Sequence, residues 1–127
     1  MKFMMLVKSA VVSSGPPPKP LMDAISKSAE EEVKAGRMIL SGGLAPPAAS
    51  THVRLTKGKV AAIDGPFSEA KEVVGGFAVF EFKSKEEAVE SARQFMDLHR
   101  LHWPGWEGET EVRPIFGPED FPPCQEK

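Results

Sequence analysis

The chain has 127 residues and a net charge of −2, which is one domain's length without the basic stripe of a nucleic-acid binder. Its 41% hydrophobic and 27% charged residues exclude a disordered chain, and a single cysteine, Cys124, excludes an internal disulfide or a cysteine-rich zinc site. Lys2 is not followed by the long apolar core and small-residue cleavage pattern of a signal peptide, and no apolar run approaches the roughly 20 residues of a membrane span. The expected setting is cytoplasmic, with neither membrane nor direct nucleic-acid partners.

Phe3 to Val7 is a continuous apolar run, too short for a helix, and is expected to form a strand buried on both faces. Val11 to Pro20 holds Gly15 and the prolines Pro16, Pro17, Pro18 and Pro20, and reads as an extended surface loop. Met22, Ile25, Ala29 and Val33 then recur at helical spacing among charged residues, which predicts an amphipathic helix stopped by Gly36. Met38 to Leu40 suggests a second strand, ended by Gly42, Gly43, Pro46 and Pro47.

His52 to Thr56 alternates, with Val53 and Leu55 on one side and His52 and Arg54 on the other. Val60 to Ile63 follows after Lys57-Gly58, which fits a tight hairpin turn. Asp64 to Gly76 reads as a polar loop, and Phe77 to Phe82 as a strand rich in aromatic and β-branched residues. Ser84 with Glu87 three residues on makes a capping box, opening a helix whose inner stripe is Ala88, Ala92, Phe95, Met96 and His99. Leu101 to Gly108 holds both tryptophans and lies beyond that helix. Glu111 to Phe116 is the last strand, and residues 117–127 form a polar tail after a domain spanning 1–116.

This order is β-α-β, a hairpin, then β-α-β, which predicts an α+β, ferredoxin-like split βαβ fold with a hairpin insertion. Two helices cover one face of such a sheet, yet the first and fifth strands are apolar on both faces. The simplest cover for the other face is the sheet of a second copy, giving a homodimer.

The stretch Asp64-Gly65-Pro66-Phe67-Ser68-Glu69-Ala70-Lys71-Glu72-Val73-Val74-Gly75-Gly76-Phe77 is the most distinctive in the chain. With Met1 to Leu6, Gly43-Leu44-Ala45-Pro46 and Glu111-Val112-Arg113-Pro114, it resembles the DGPF-type members of the YCII-related family over most of residues 1–116. The resemblance implies a dimeric α+β barrel. Some YCII-related proteins look like enzymes that use a histidine on the first helix with an aspartate on the second. The first helix here has no histidine, so neither that pair nor a dehydrochlorinase activity carries over. Other relatives with the DGPF stretch look like companions of extracytoplasmic-function sigma factors.

Several polar residues are candidates for a site. Asp64 either caps the Gly65-Pro66 turn or stands as a carboxylate base at a cleft mouth. Glu69, Lys71 and Glu72 form either a solvated ion-pair cluster or a proton-transfer site. Arg113, among apolar strand residues, needs an anionic partner: Asp64, Glu69 or a substrate carboxylate. His99 and His102 are spaced to share a metal, but the favoured reading is a helix-end histidine beside a lid of His102, Trp103 and Trp106, with no metal or other cofactor. The candidate catalytic set is Asp64, Lys71 and Arg113; the candidate substrate-binding set is Glu69, Glu72, His99, His102 and Trp103. The leading function is a small-molecule enzyme using acid–base chemistry in an inter-element cavity, and the alternative is a non-catalytic ligand-binding domain acting through a transcription factor.

Overall fold

The computed structural model describes residues 1–10, 16–65 and 72–120. Of the loop expected over Val11 to Pro20, residues 11–15 therefore lie outside the described residues, as do residues 66–71 and the end of the tail. Six strands and two helices follow in the order β1 (Lys2–Ala10), α1 (Lys19–Lys34), β2 (Met38–Gly43), β3 (Thr51–Thr56), β4 (Lys59–Asp64), β5 (Glu72–Glu81), α2 (Lys85–His102) and β6 (Gly108–Pro114). Strands β2, β5, β1 and β6 form one antiparallel sheet in that order, and β3 and β4 form a separate two-stranded ribbon. With the ribbon set aside as an insertion, this topology is compatible with a ferredoxin-like α+β fold.

The period of two along β1 decides which side chains enter the core. Phe3 and Met5 point to the helices, where they meet Phe80 and Phe82 and the small residues Ala88 and Ala92 of α2. Alanines at the contact let α2 approach the aromatic floor closely, and Met38, Ala78 and Val112 close the margins. From α1, Leu21 is fully buried. Burying a side chain such as Phe3 or Leu21 contributes about 1.5–3 kcal/mol.

The opposite face of the sheet carries Met4, Leu6, Phe77 and Val79, which are only half-buried in the single chain. Phe77 lies over Gly42, where an added Cβ would stand 3.1 Å from its ring. The glycine pair thus continues β2 instead of ending it, because a missing side chain makes room for the neighbouring ring. Gly75 and Gly76 likewise lie inside β5, which begins at Glu72. No close approach requires Gly75, since nothing lies within 4 Å of an added Cβ there.

The helix ends follow local chemistry. Helix α1 starts at Lys19, earlier than the proline content suggests, because Pro18 caps it in extended conformation and Pro20 falls in the first turn, where a missing N–H costs nothing. Gly36 follows its end with φ +77°, as expected for a helix stop. On α2, the Ser84 hydroxyl accepts the Glu87 N–H at 3.2 Å, while the Glu87 carboxylate accepts the N–H of Lys83, one residue before the expected reciprocal position. The β3–β4 turn is Lys57-Gly58 with φ of +53° and +79°, the two positive angles of a type I′ hairpin. No described helix is long and apolar enough to cross a membrane.

Candidate functional site

Antiparallel register places Met4 opposite Arg113, Leu6 opposite Glu111 and Lys8 opposite Glu109. These side chains share the helix-free face of the sheet, because directly opposed residues point the same way. Glu111 is the hub. One of its oxygens takes the Lys8 ammonium at 2.6 Å, and the other accepts the Arg113 Nε–H at 2.5 Å and also contacts the Arg113 Nη2. The Lys8 and Arg113 cations, in that order of effect, hold the Glu111 carboxyl below the usual carboxylate range. Lys8 and Glu111 are largely covered, whereas Arg113 keeps much of its guanidinium open to solvent. An oriented guanidinium beside an apolar floor of Met4, Leu6, Phe77 and Val79 can dock a planar anionic group.

The anionic partner of Arg113 is Glu111, two residues away on the same strand, and not the expected Asp64. Asp64 is exposed at the end of β4 and accepts the Thr51 hydroxyl at 2.5 Å across the hairpin base. The adjoining Gly65 N–H donates to the Ser50 carbonyl at 2.8 Å. In its described contacts Asp64 therefore closes the root of the ribbon. Glu69 and Lys71 lie outside the described residues, and of Glu72 only the backbone, opposite Ala10 in β5, is described.

On the helix side, His99 is buried with 6% exposure. Its Nδ1 lies 3.0 Å from the Phe95 carbonyl. A carbonyl only accepts, so Nδ1 carries the proton in this tautomer. The imidazole contacts Phe95 at 4.9 Å and Trp106 at 4.5 Å between ring centroids, and Trp106 stacks on Trp103 at 5.9 Å. His102 and Trp103, at the end of α2, are half-buried. Of the expected lid of His102, Trp103 and Trp106, the Trp103–Trp106 stack is present, and His99 is buried beneath it instead of standing as a charged cap at the helix end.

Burial pushes the His99 imidazole down, and the hydrogen bond to Phe95 opposes that only in part. The folded state therefore favours neutral His99, while the unfolded chain takes up the proton near pH 6.5. Stability contributed by neutral burial is fully present above about pH 6.5 and falls as pH drops from there toward the lower folded value. Urea midpoints are expected to fall between pH 7.5 and pH 5.5, and His99→Phe should flatten that segment. An unchanged slope in the variant would assign the pH dependence elsewhere.

Lys8 and Glu111 were not among the residues that motif spacing pointed to. Two signals for them exist in the sequence: Lys8 interrupts an apolar strand run, and Glu111 and Arg113 at i and i+2 must share one face of β6. Their meeting, however, depends on β1–β6 register, which is non-local.

Among known families, the YCII-related domain matches residues 1–96, from β1 into α2. The chain belongs to the YCII-related family. A protein of Rhizobium meliloti (strain 1021), itself described only as uncharacterized, is 31% identical to this YCII-related chain over 104 residues, which is 80% of each. The matched family segment includes Lys8, but it stops short of His99, the tryptophans, Glu111 and Arg113.

Proposed function

We infer that this YCII-related protein binds a small amphiphilic carboxylate on the helix-free face of its sheet, and that a second copy closes the site from above. The observation that carries this reading is the Glu111 hub. It fixes Arg113 beside four half-buried apolar side chains without using up the guanidinium. The ligand's apolar body would cover Met4, Leu6, Phe77 and Val79, and its carboxylate would pair with Arg113. Lys8 and Glu109 bound the other end of the site and favour a ligand with one anionic group over a polyanion.

Acid–base chemistry on such a ligand would draw on Asp64 and Lys71, with Arg113 as anchor. The engagement of Asp64 by Thr51 favours a second reading, in which binding occurs without turnover and is read out by a protein partner. Both readings share the binding step, which is tested first.

The probe is 8-anilinonaphthalene-1-sulfonate, an amphiphilic anion whose fluorescence reports apolar contact. Arg113→Met is expected to weaken its binding about tenfold, the loss of one charge-assisted hydrogen-bonded contact, with little change in circular dichroism. Equal binding by the wild type and the variant would remove Arg113, and with it this site.

A further inference from the structure

The charges on the helix-free face do not all cancel. Residues 109, 111 and 113 of β6 share that face, and Lys8 of β1 lies directly opposite Glu109. Directly opposed residues of opposite charge favour pairing. Here the Lys8 ammonium passes over its direct neighbour and takes the diagonal Glu111 at 2.6 Å. Glu109 is left exposed, and its carboxylate makes no ion pair or hydrogen bond among the described residues. At the other end of the same strand, Arg113 shares Glu111 with Lys8 and keeps 63% of its side chain exposed. One carboxylate set against two cations leaves that end positive, and Glu109 makes the opposite end negative.

The apolar surface lies between the two ends. Leu6 stands opposite Glu111 and Met4 opposite Arg113, with Phe77 and Val79 on the next strand. Glu109 and Arg113 are four residues apart, and Arg113 leans back toward Glu111, so roughly 10–14 Å separate the two charged heads. A ligand whose only polar group is a carboxylate would rest its apolar end against Glu109 and strip water from that carboxylate without return. A ligand with an ammonium there would form a charge-assisted hydrogen bond instead. An extended chain covers about 3.5 Å per three bonds, so the span corresponds to roughly nine to twelve bonds.

We propose that the ligand of this face is a zwitterion, an ω-amino carboxylate whose carboxylate sits on Arg113, whose methylene chain covers the apolar floor and whose ammonium sits on Glu109. This rests on the Arg113 site inferred above and adds the chemistry of the ligand's far end. Lys8 sets the polarity of the site, because its ammonium is turned to Glu111 and leaves Glu109 open to a ligand's cation.

The test is displacement of 8-anilinonaphthalene-1-sulfonate by 11-aminoundecanoate, which spans the two charges, and by undecanoate, which has the same carbons and no ammonium. The pair 6-aminohexanoate and hexanoate is too short to bridge. The affinity of the long amino acid relative to its alkanoate should fall about fivefold or more from the wild type to Glu109→Gln, and the ratio for the short pair should stay level. Glu109→Lys should reverse the preference, so that undecanedioate displaces the probe better than 11-aminoundecanoate. A long-pair ratio unchanged in Glu109→Gln, or a preference unchanged in Glu109→Lys, would overturn the zwitterion. Weaker probe binding by Arg113→Met in that case would leave the anion site standing without it. An equal fall in the short pair would reduce the effect to long-range attraction and overturn the bridging ligand as well. Probe binding unchanged in Arg113→Met would remove the site and the zwitterion together.

Discussion

Phe3→Ala is expected to cost about 3–5 kcal/mol, a large part of the roughly 5–15 kcal/mol that holds a domain of this size together. Phe3 is fully buried, and it joins the sheet to α2. Its ring lies 6.4 Å from that of Phe82, which stacks on Phe80 at 5.1 Å, and Ala88 and Ala92 form the facing surface of α2. Truncation at this position removes the shared partner of both layers. The alanines on α2 have no further atoms to move into the space, so the cavity would persist. Chemical denaturation should show a lower midpoint with an unchanged slope. A loss below about 1 kcal/mol would mean that the layers can collapse onto one another. The single chain's core would then be less specific than its packing indicates.

Gly108→Ala should destabilise the protein by about 1–3 kcal/mol and disturb the tryptophan lid at the same time. An added Cβ would fall 2.3 Å from the Lys8 carbonyl oxygen and 2.4 Å from the Trp106 ring. The carbonyl is held by β1–β6 pairing, in which Gly108 lies opposite Ser9. The ring must therefore move, and with it the stack onto His99. The variant should show altered tryptophan fluorescence as well as a lower midpoint. Gly75→Ala is the control, since nothing lies within 4 Å of its added Cβ and its φ is not in the left-handed region. If the two glycine variants behaved alike, the close seat of Trp106 over Gly108 would have no energetic weight. The experiment also bears on the anion site, because the Lys8 carbonyl belongs to the same residue whose ammonium meets Glu111.

Much of the architecture was legible where the signal is local. The apolar run of β1, the Ser84–Glu87 cap, the alternating β3 and the Lys57-Gly58 turn each depend on residues within one or two turns or a single hairpin. Boundaries were less legible, for identifiable reasons. Gly42 and Gly43 read as a strand end, yet the Phe77 ring fills the space over Gly42 and the ladder continues. Pro20 reads as part of a loop, yet the first turn of α1 needs no N–H from it. The candidate site was legible only in part. Arg113 could be singled out as a cation needing an anion, and its anion proved to be two residues away on the same strand.

The sequence by itself determined the helices, most of the strands, the placement of the hairpin and the apolar character of both sheet faces, because periodicity, capping and turn chemistry act over a few residues. The tertiary structure decided which charges meet. Lys8 reaches Glu111 only because β6 returns beside β1, and His99 becomes a buried neutral base only because Trp106 folds back over Gly108. Register between distant strands and the burial of a polar ring depend on the whole chain's packing, and no local pattern encodes them.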